Sequence, residues 1–286
     1  MKGSKMKKVL ALINRVDDTK KVLAKALKFL DSDGVLEVLY VHESKLFDLP
    51  DFFKPDFVSD DMIDKDEVKK RIKKELDTLG YKKDVAIFVY IEDSKDHILE
   101  LADPKTFVIS AYNEDVTPQL LKDIKNMQLI MKKEDIDYNK IALLIDLDKE
   151  SHECLKRANN LFEKNRIRVV YDFVYPPEPL VTDAELTGIG VSDPTTYIEL
   201  SEEIKKGKLD NFYKFLSDEA VDGDFLTSDL EISNDLSEHA KNMSIDLFYI
   251  CIDEHNIFIE QSQIISLIKK SDTDFILDNI TKRDER

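Results

Sequence analysis

The sequence predicts an α/β protein made of two tandem open parallel sheets of five strands each, and three observations lead there. The stretch from Lys140 to Pro176 repeats Lys8 to Ser44 at a constant offset of 132 without a gap. Six positions are identical (Lys8/Lys140, Leu12/Leu144, Ile13/Ile145, Leu23/Leu155, Ala26/Ala158, Val38/Val170), and residue classes match along the whole length. A unit of this size is far longer than the roughly 20–50 residues of a solenoid repeat, so each copy should be a whole domain. Apolar runs of strand length then alternate with segments of helical period, the pattern of crossover-connected parallel strands. Finally, 286 residues at ~100–200 per domain allow two domains.

In the first copy, Val9 to Ile13 is an apolar strand, and Asp17-Asp18-Thr19 offers capping oxygens for the helix that follows. That helix turns Val22, Leu23, Ala26, Leu27 and Leu30 to one face, and Asp31-Ser32-Asp33-Gly34 should end it. Val35 to Val41 is the second strand. Leu46 to Val58, with Pro50 and Pro55, reads as an irregular connection suited to a lid. A helix from about Ser59 to Leu79 buries Val68, Ile72, Leu76 and Leu79, with Gly80 after its end. Val85 to Ile91, Thr106 to Ala111 and Met127 to Met131 supply strands three to five. Between them lie a short helix capped by Asp93-Ser94 and stopped by Pro104, and one opened by Thr117-Pro118.

The second copy repeats the order with Ile141 to Ile145, a helix from Ser151 to Glu163, and Ile167 to Val174. Its insert, Pro176 to Asp193, has the prolines and glycines of a loop, including Gly188-Ile-Gly190, which lacks the context of a phosphate loop. A helix to about Ala220, a turn at Asp222-Gly223, then Phe225 to Ile232, Asn234 to Met243, Ile245 to Ile252, Gln261 to Ile268 and Phe275 to Leu277 complete it. Glu134 to Asn139 is the boundary, giving domains 6–133 and 140–286; Met1 to Lys5 stands outside the fold reading.

A net charge of -17 disfavours nucleic acid and anionic membranes, whose binding depends on cations neutralising phosphates. No apolar run approaches the ~20 residues that span a bilayer, and the basic start lacks a signal-peptide core, so a cytoplasmic protein is expected. Cys154 and Cys251 fall in apolar segments and read as small buried hydrophobes without a redox role. The histidines 97, 152 and 239 fall on helices among solvent-facing charges, whereas His42 and His255 follow strands and can reach a crevice. No nucleophile and base, and no metal-ligand spacing, can be paired from sequence.

The pieces KVLALINRVDDTKKVLAKAL, VLEVLYVHE, EDSKDHILELAD and TFVISAY in copy one, and KIALLIDLDKES, IRVVYDFVY, SNDLSEHAKNM and IDLFYIC in copy two, resemble in order the universal stress protein family. The resemblance implies a Rossmann-like, adenine nucleotide alpha hydrolase-like sheet of order 3-2-1-4-5 in each copy. It also implies pairing through the fifth strands, making the tandem an internal pseudo-dimer. Family members that bind ATP carry a glycine-rich loop after strand four, where backbone N–H groups converge on phosphates. None of the seven glycines here follows either fourth strand: copy one runs SAYNEDVTPQLL and copy two CIDEHNIFIEQSQII. Such members also use an aspartate after strand one, which is Asp146 in copy two and Asn14 in copy one; as turn residues, both also serve the following helix.

The candidate ligand contacts are accordingly Asp146, Val174, Cys251, Asp253 and Ser262 around the second crevice, with Asn14 in the first. The expected function is a non-enzymatic, stress-associated binding or scaffold protein without a resident cofactor, ordinary ATP binding being disfavoured. The alternatives are a nucleotide-binding switch or weak ATPase using the second crevice, and a carrier of a small apolar or nucleotide-like ligand beneath the Pro176 to Asp193 insert. Its partner is then an unidentified protein or that ligand.

Overall fold

Why the halves join becomes clear from the strand edges. The computed structural model describes residues 5–42, 64–91, 94–134, 137–148, 150–175, 194–228, 232–252 and 261–279. In the first half, β1 (Met6–Ile13), β2 (Leu30–His42), β3 (Ala86–Ile91), β4 (Phe107–Ala111) and β5 (Gln128–Met131) alternate with four helices. These are α1 (Thr19–Phe29), α2 (Lys65–Thr78), α3 (Ser94–Leu101) and α4 (Thr117–Asp123). The second half has β6 (Ile141–Leu144), α5 (Glu150–Leu161), β7 (Ile167–Val174), α6 (Pro194–Glu219) and β8 (Asp222–Ser228), then α7 (Ile232–Met243), β9 (Leu247–Ile252), α8 (Gln261–Lys270) and β10 (Asp274–Asn279).

The expected order 3-2-1-4-5 appears in each half, but the two sheets are fused. One ten-stranded sheet runs β3-β2-β1-β4-β5-β10-β9-β6-β7-β8. All neighbours are parallel except β5 and β10, which pair antiparallel through Phe275↔Ile130, Ile276↔Leu129 and Leu277↔Gln128. The physical reason is the open edge: a fifth strand left unpaired exposes a row of N–H and C=O groups, and each half closes the other's. Because strand direction reverses at this junction, the carboxyl ends of the two sets of strands face opposite edges of the sheet. The two crevices therefore open on opposite sides of the molecule.

The repeat itself slips by one residue. Val9 pairs with Leu36 in the first half, while its equivalent Ile141 pairs with Ile167, the gapless partner of Val35. Since side chains alternate faces, a one-residue slip exchanges them: Val38 and Val170, identical in the gapless alignment, lie in different core clusters on opposite faces. The extra residue is absorbed between the pairs Met6↔Leu30 and Lys8↔Val35, where Asp31 to Gly34 forms a bulge rather than a helix-ending turn. A Cβ on Gly34 would lie 2.9 Å from the Met6 carbonyl oxygen, so the close approach requires glycine.

Several local expectations also change. Asp18 makes no capping bond to α1; it pairs instead with Arg15 at 2.8 Å and Lys21 at 2.7 Å. Asp64 does cap α2, accepting from the Asp66 and Glu67 amides, and Gly80, at φ 79°, follows its end. Asp222-Gly223 belongs to β8, the turn having moved to Ala220 with φ 47°. Asp93, the 46–58 connection and the Pro176 to Asp193 insert lie outside the described residues.

Helices α1, α2, α5 and α6 cover one face of the sheet and share one core. On the other face, α3 and α4 cover the first half and α7 and α8 the second. At the junction Phe29 of α1 meets Phe107, Tyr138 and Phe162 at ring-centroid distances of 5.3, 6.4 and 6.1 Å. Within this aromatic cluster the Lys25 ammonium lies 4.0 Å from the Tyr138 ring centre and 3.5 Å from the Asp274 carboxylate, both ionic side chains being fully buried. Arg157, the repeat equivalent of Lys25, forks onto Asp278 with bonds of 2.6 and 2.5 Å. The two helices thus present a cation at the same repeat position, and both cations reach β10.

Candidate functional site

The second crevice begins where β6 ends, with Leu144 paired to Ile250 of β9. Just beyond, half-buried Asp146 turns its Oδ1 back to accept from the Asp148 amide at 3.1 Å and the Ser151 hydroxyl at 3.0 Å. Asp148 in turn accepts from the Glu150 and Ser151 amides at 2.9 and 3.0 Å, capping α5. Between the two aspartates, Leu147 is held at φ 64°, a region bulky residues avoid. Burial, followed by the contact with Asp148, raises the Asp146 pKa to about 6. One oxygen of Asp146, Oδ1, is therefore engaged in its own turn. Replacing Asp148 by alanine should remove the cap and lower stability by about 1 kcal/mol, measurable by urea denaturation.

Cys251, offered above as a ligand contact and as a small buried hydrophobe, packs against the core and is also part of a disulfide. Its sulfur is bonded to Cys154 of α5, with the Cα atoms 5.9 Å apart. The two residues are 97 positions apart in sequence, and nothing in their local sequences signals the pairing. Val174 packs on the α7 and α8 face, whereas Cys251 packs on the α5 face, so the sheet separates these two candidates. Ser262 is exposed in the first turn of α8, and Asn14 belongs to the crevice at the opposite edge. Asp253 and His255 lie outside the described residues. Among the other histidines, His97 is stacked on Tyr90 at 3.6 Å rather than solvated, and the half-buried His239 lies 3.2 Å from Asp224.

A group that the sequence reading missed is Asp172 on β7, 2% exposed between Tyr171 and Phe173. The Ser228 hydroxyl donates to its Oδ2 at 2.7 Å, while Oδ1 has no partner among the described residues. Burial pushes its pKa up to about 6. On the other face of the strand, Tyr171 is raised to about 12, first by burial and then by the charges of Asp146 and Asp172. The only signal available beforehand was an acid interrupting the run IRVVYDFVY.

In the first half, the short turn after β4 is closed on itself. The Asn113 amide donates to Thr117 Oγ1 at 2.9 Å, the Asp115 and Val116 amides donate to Asn113 Oδ1 at 2.9 and 3.3 Å, and the Thr117 amide donates to the Asn113 carbonyl at 2.9 Å. Four N–H groups that could otherwise face a phosphate are already engaged. A cavity of about 300 Å³ opens beside α1 and α2, lined by Thr19, Tyr40, His42, Val68 and Arg71 among others. His42, the last residue of β2, thus lines a cavity. Among the described residues no group of His, Cys, Asp and Glu is placed to hold a metal ion, and no helix is long and apolar enough to cross a membrane.

Solved structures share this fold. A putative universal stress protein from Pseudomonas aeruginosa UCBPP-PA14 superposes with a TM-score of 0.58 at 12% identity, over 96% of this chain and 93% of its own. A universal stress protein from Archaeoglobus fulgidus DSM 4304 superposes with a TM-score of 0.57 at 12% identity, over 95% and 96%. The chain has the universal stress protein fold. A functionally unknown protein from Pseudomonas aeruginosa PAO1 matches similarly, with a TM-score of 0.58 at 12% identity over 96% and 92%. No family model matches the sequence, and no curated protein does. At such low identity, the likeness to these universal stress proteins is one of fold.

Proposed function

We propose that this chain is a non-enzymatic, stress-associated binding or scaffold protein of the universal stress type, acting in the cytoplasm without ordinary ATP binding. The observation that carries the reading is the self-closed Asn113 to Thr117 turn, whose amides are bonded within the turn. A triphosphate needs several converging donors at this point, and recruiting them would first break those bonds. In the second half the sequence after β9, DEHNIFIE, has no glycine and carries three acidic residues. The engaged oxygen of Asp146 further argues for a structural aspartate there. Millimolar ATP with magnesium should leave the melting temperature unchanged; a nucleotide at 100 times its Kd would add about 2.7 kcal/mol, so a clear upward shift would refute the reading.

The cavity beside α1 and α2 favours a second reading, a carrier of a small ligand. Its volume of about 300 Å³ is at the lower end for small-molecule sites, and it combines the aromatic face of Tyr40 with the polar groups of His42 and Arg71. Mass spectrometry of small molecules released from the purified protein decides between the two. A stoichiometric metabolite supports the carrier, and an empty protein that retains protein partners supports the scaffold.

A further inference from the structure

The disulfide between Cys154 and Cys251 has a counterpart within the same chain that shows what the fold requires there. The repeat places Val22 of α1 opposite Cys154 of α5. The strand registers, Val9↔Phe107 and Ile141↔Leu247, place Ala111 of β4 opposite Cys251 of β9. Val22 and Ala111 are both in the core of the first half, where helix and strand pack with no covalent link. Valine and alanine therefore satisfy the packing at this junction. What the cysteine pair adds in the second half is a bond that can be made and broken.

Its position gives that bond a consequence. Cys251 is next to the last residue of β9, one beyond the Ile250 that pairs with Leu144. Cys154 follows the first turn of α5, directly after the turn in which Asp146 and Asp148 hold Leu147 at positive φ. The bond thus ties the start of α5 to the carboxyl end of β9, across the mouth of the second crevice. The two sulfurs differ in depth: Cys154 is 2% exposed, while Cys251 is half-buried.

We propose that Cys154 and Cys251 form a reversible thiol–disulfide exchange site, served by a dithiol, that fastens and releases the α5 start at the second crevice. A thiolate of the dithiol attacks the Cys251 sulfur, forming a mixed disulfide and breaking the protein S–S bond. Cys154 leaves as a thiolate and takes a proton from water. The second thiol of the dithiol, as its thiolate, then attacks the dithiol's own bound sulfur. Cys251 is released as a thiolate, which is protonated, and the dithiol departs as a cyclic disulfide. Two electrons have passed from the dithiol to the cystine. Reversal by an oxidised dithiol restores the bond, consistent with the transient or sensing role of disulfides in reducing compartments. The exchange needs no ligand in the crevice, so it stands or falls independently of the binding role proposed above.

The test is a native-state redox titration of the full chain in glutathione and dithiothreitol buffers, with acid quench, alkylation and mass analysis, and hydrogen exchange on both end states. The expected result is interconversion of zero and two alkylations with circular dichroism unchanged, and exchange at residues 146–154 several-fold faster in the reduced form. Reduction achieved only in denaturant would overturn the proposal in favour of a purely structural bridge. Thiols that oxidised glutathione cannot join would overturn it by removing the bridge itself. The double variant Cys154→Val with Cys251→Ala, which installs the first half's pair, should exchange at 146–154 at one rate with or without reductant; a persisting response would assign the effect elsewhere. Where that variant does not fold, the wild-type titration is sufficient to decide.

Discussion

Replacing Asp274 with alanine is expected to cost about 3–5 kcal/mol of unfolding free energy, the range for removing one partner of a buried ion pair. This carboxylate is fully buried at the start of β10. Its Oδ1 accepts from the Lys132 and Lys133 amides at 2.7 and 2.8 Å, and its Oδ2 accepts from the Tyr138 hydroxyl at 2.6 Å and faces the Lys25 ammonium. Alanine would strip the counter-charge from a lysine that has no exposed surface and remove the acceptor of three further donors at the seam between the halves. Lys25→Met should cost less, because Asp274 keeps its three hydrogen bonds while an apolar chain fills the space. Urea denaturation of both variants checks the order, and an Asp274→Ala loss no greater than that of Lys25→Met would show that the seam does not depend on this carboxylate.

The architecture was legible because it rests on period and class. Apolar runs of strand length, helical stripes such as Val22, Leu23 and Ala26, and the repeated opening point to ten strands and their parallel pairing within each half, while the adjacency of the fifth strands came from the family resemblance and the fusion of the two sheets into one was not expected. What could not be read was contact between distant positions. The bulge at Asp31 to Gly34 leaves residue classes aligned while reversing their faces, so the gapless repeat concealed it. Cys154 and Cys251 meet only because α5 packs over β9, and Lys25 is buried where Tyr138 and Asp274 lie against it. In the candidate site, the aspartate after β6 was found in place, but its hydrogen bonds run into its own turn. Val174 and Cys251 pack on opposite faces of the sheet, a separation set by strand alternation rather than by sequence distance.

The buried acid on β7 leads to the remaining large effect, a dependence of stability on pH. Asp172 has a folded-state pKa of about 6, raised by burial above the ordinary carboxylate value. Below about pH 4 the group is protonated in both folded and unfolded chains and contributes no difference. As pH rises from about 4 to 6, the unfolded chain loses this proton before the folded one does, so the folded state binds more protons and stability falls. Above pH 6 both forms are ionised and the loss stays constant, at roughly 2–3 kcal/mol for a shift of about two units. Asp172→Asn keeps an oxygen for the Ser228 hydroxyl, bonded at 2.7 Å in the wild type, and cannot ionise. The wild-type protein should therefore lose roughly 2–3 kcal/mol relative to Asp172→Asn between pH 4 and pH 7. Because the other carboxylates are common to both proteins, the difference isolates this one residue. Parallel denaturation curves across that range, with a constant gap between the two proteins, would mean that Asp172 is ionised in the fold at ordinary cost.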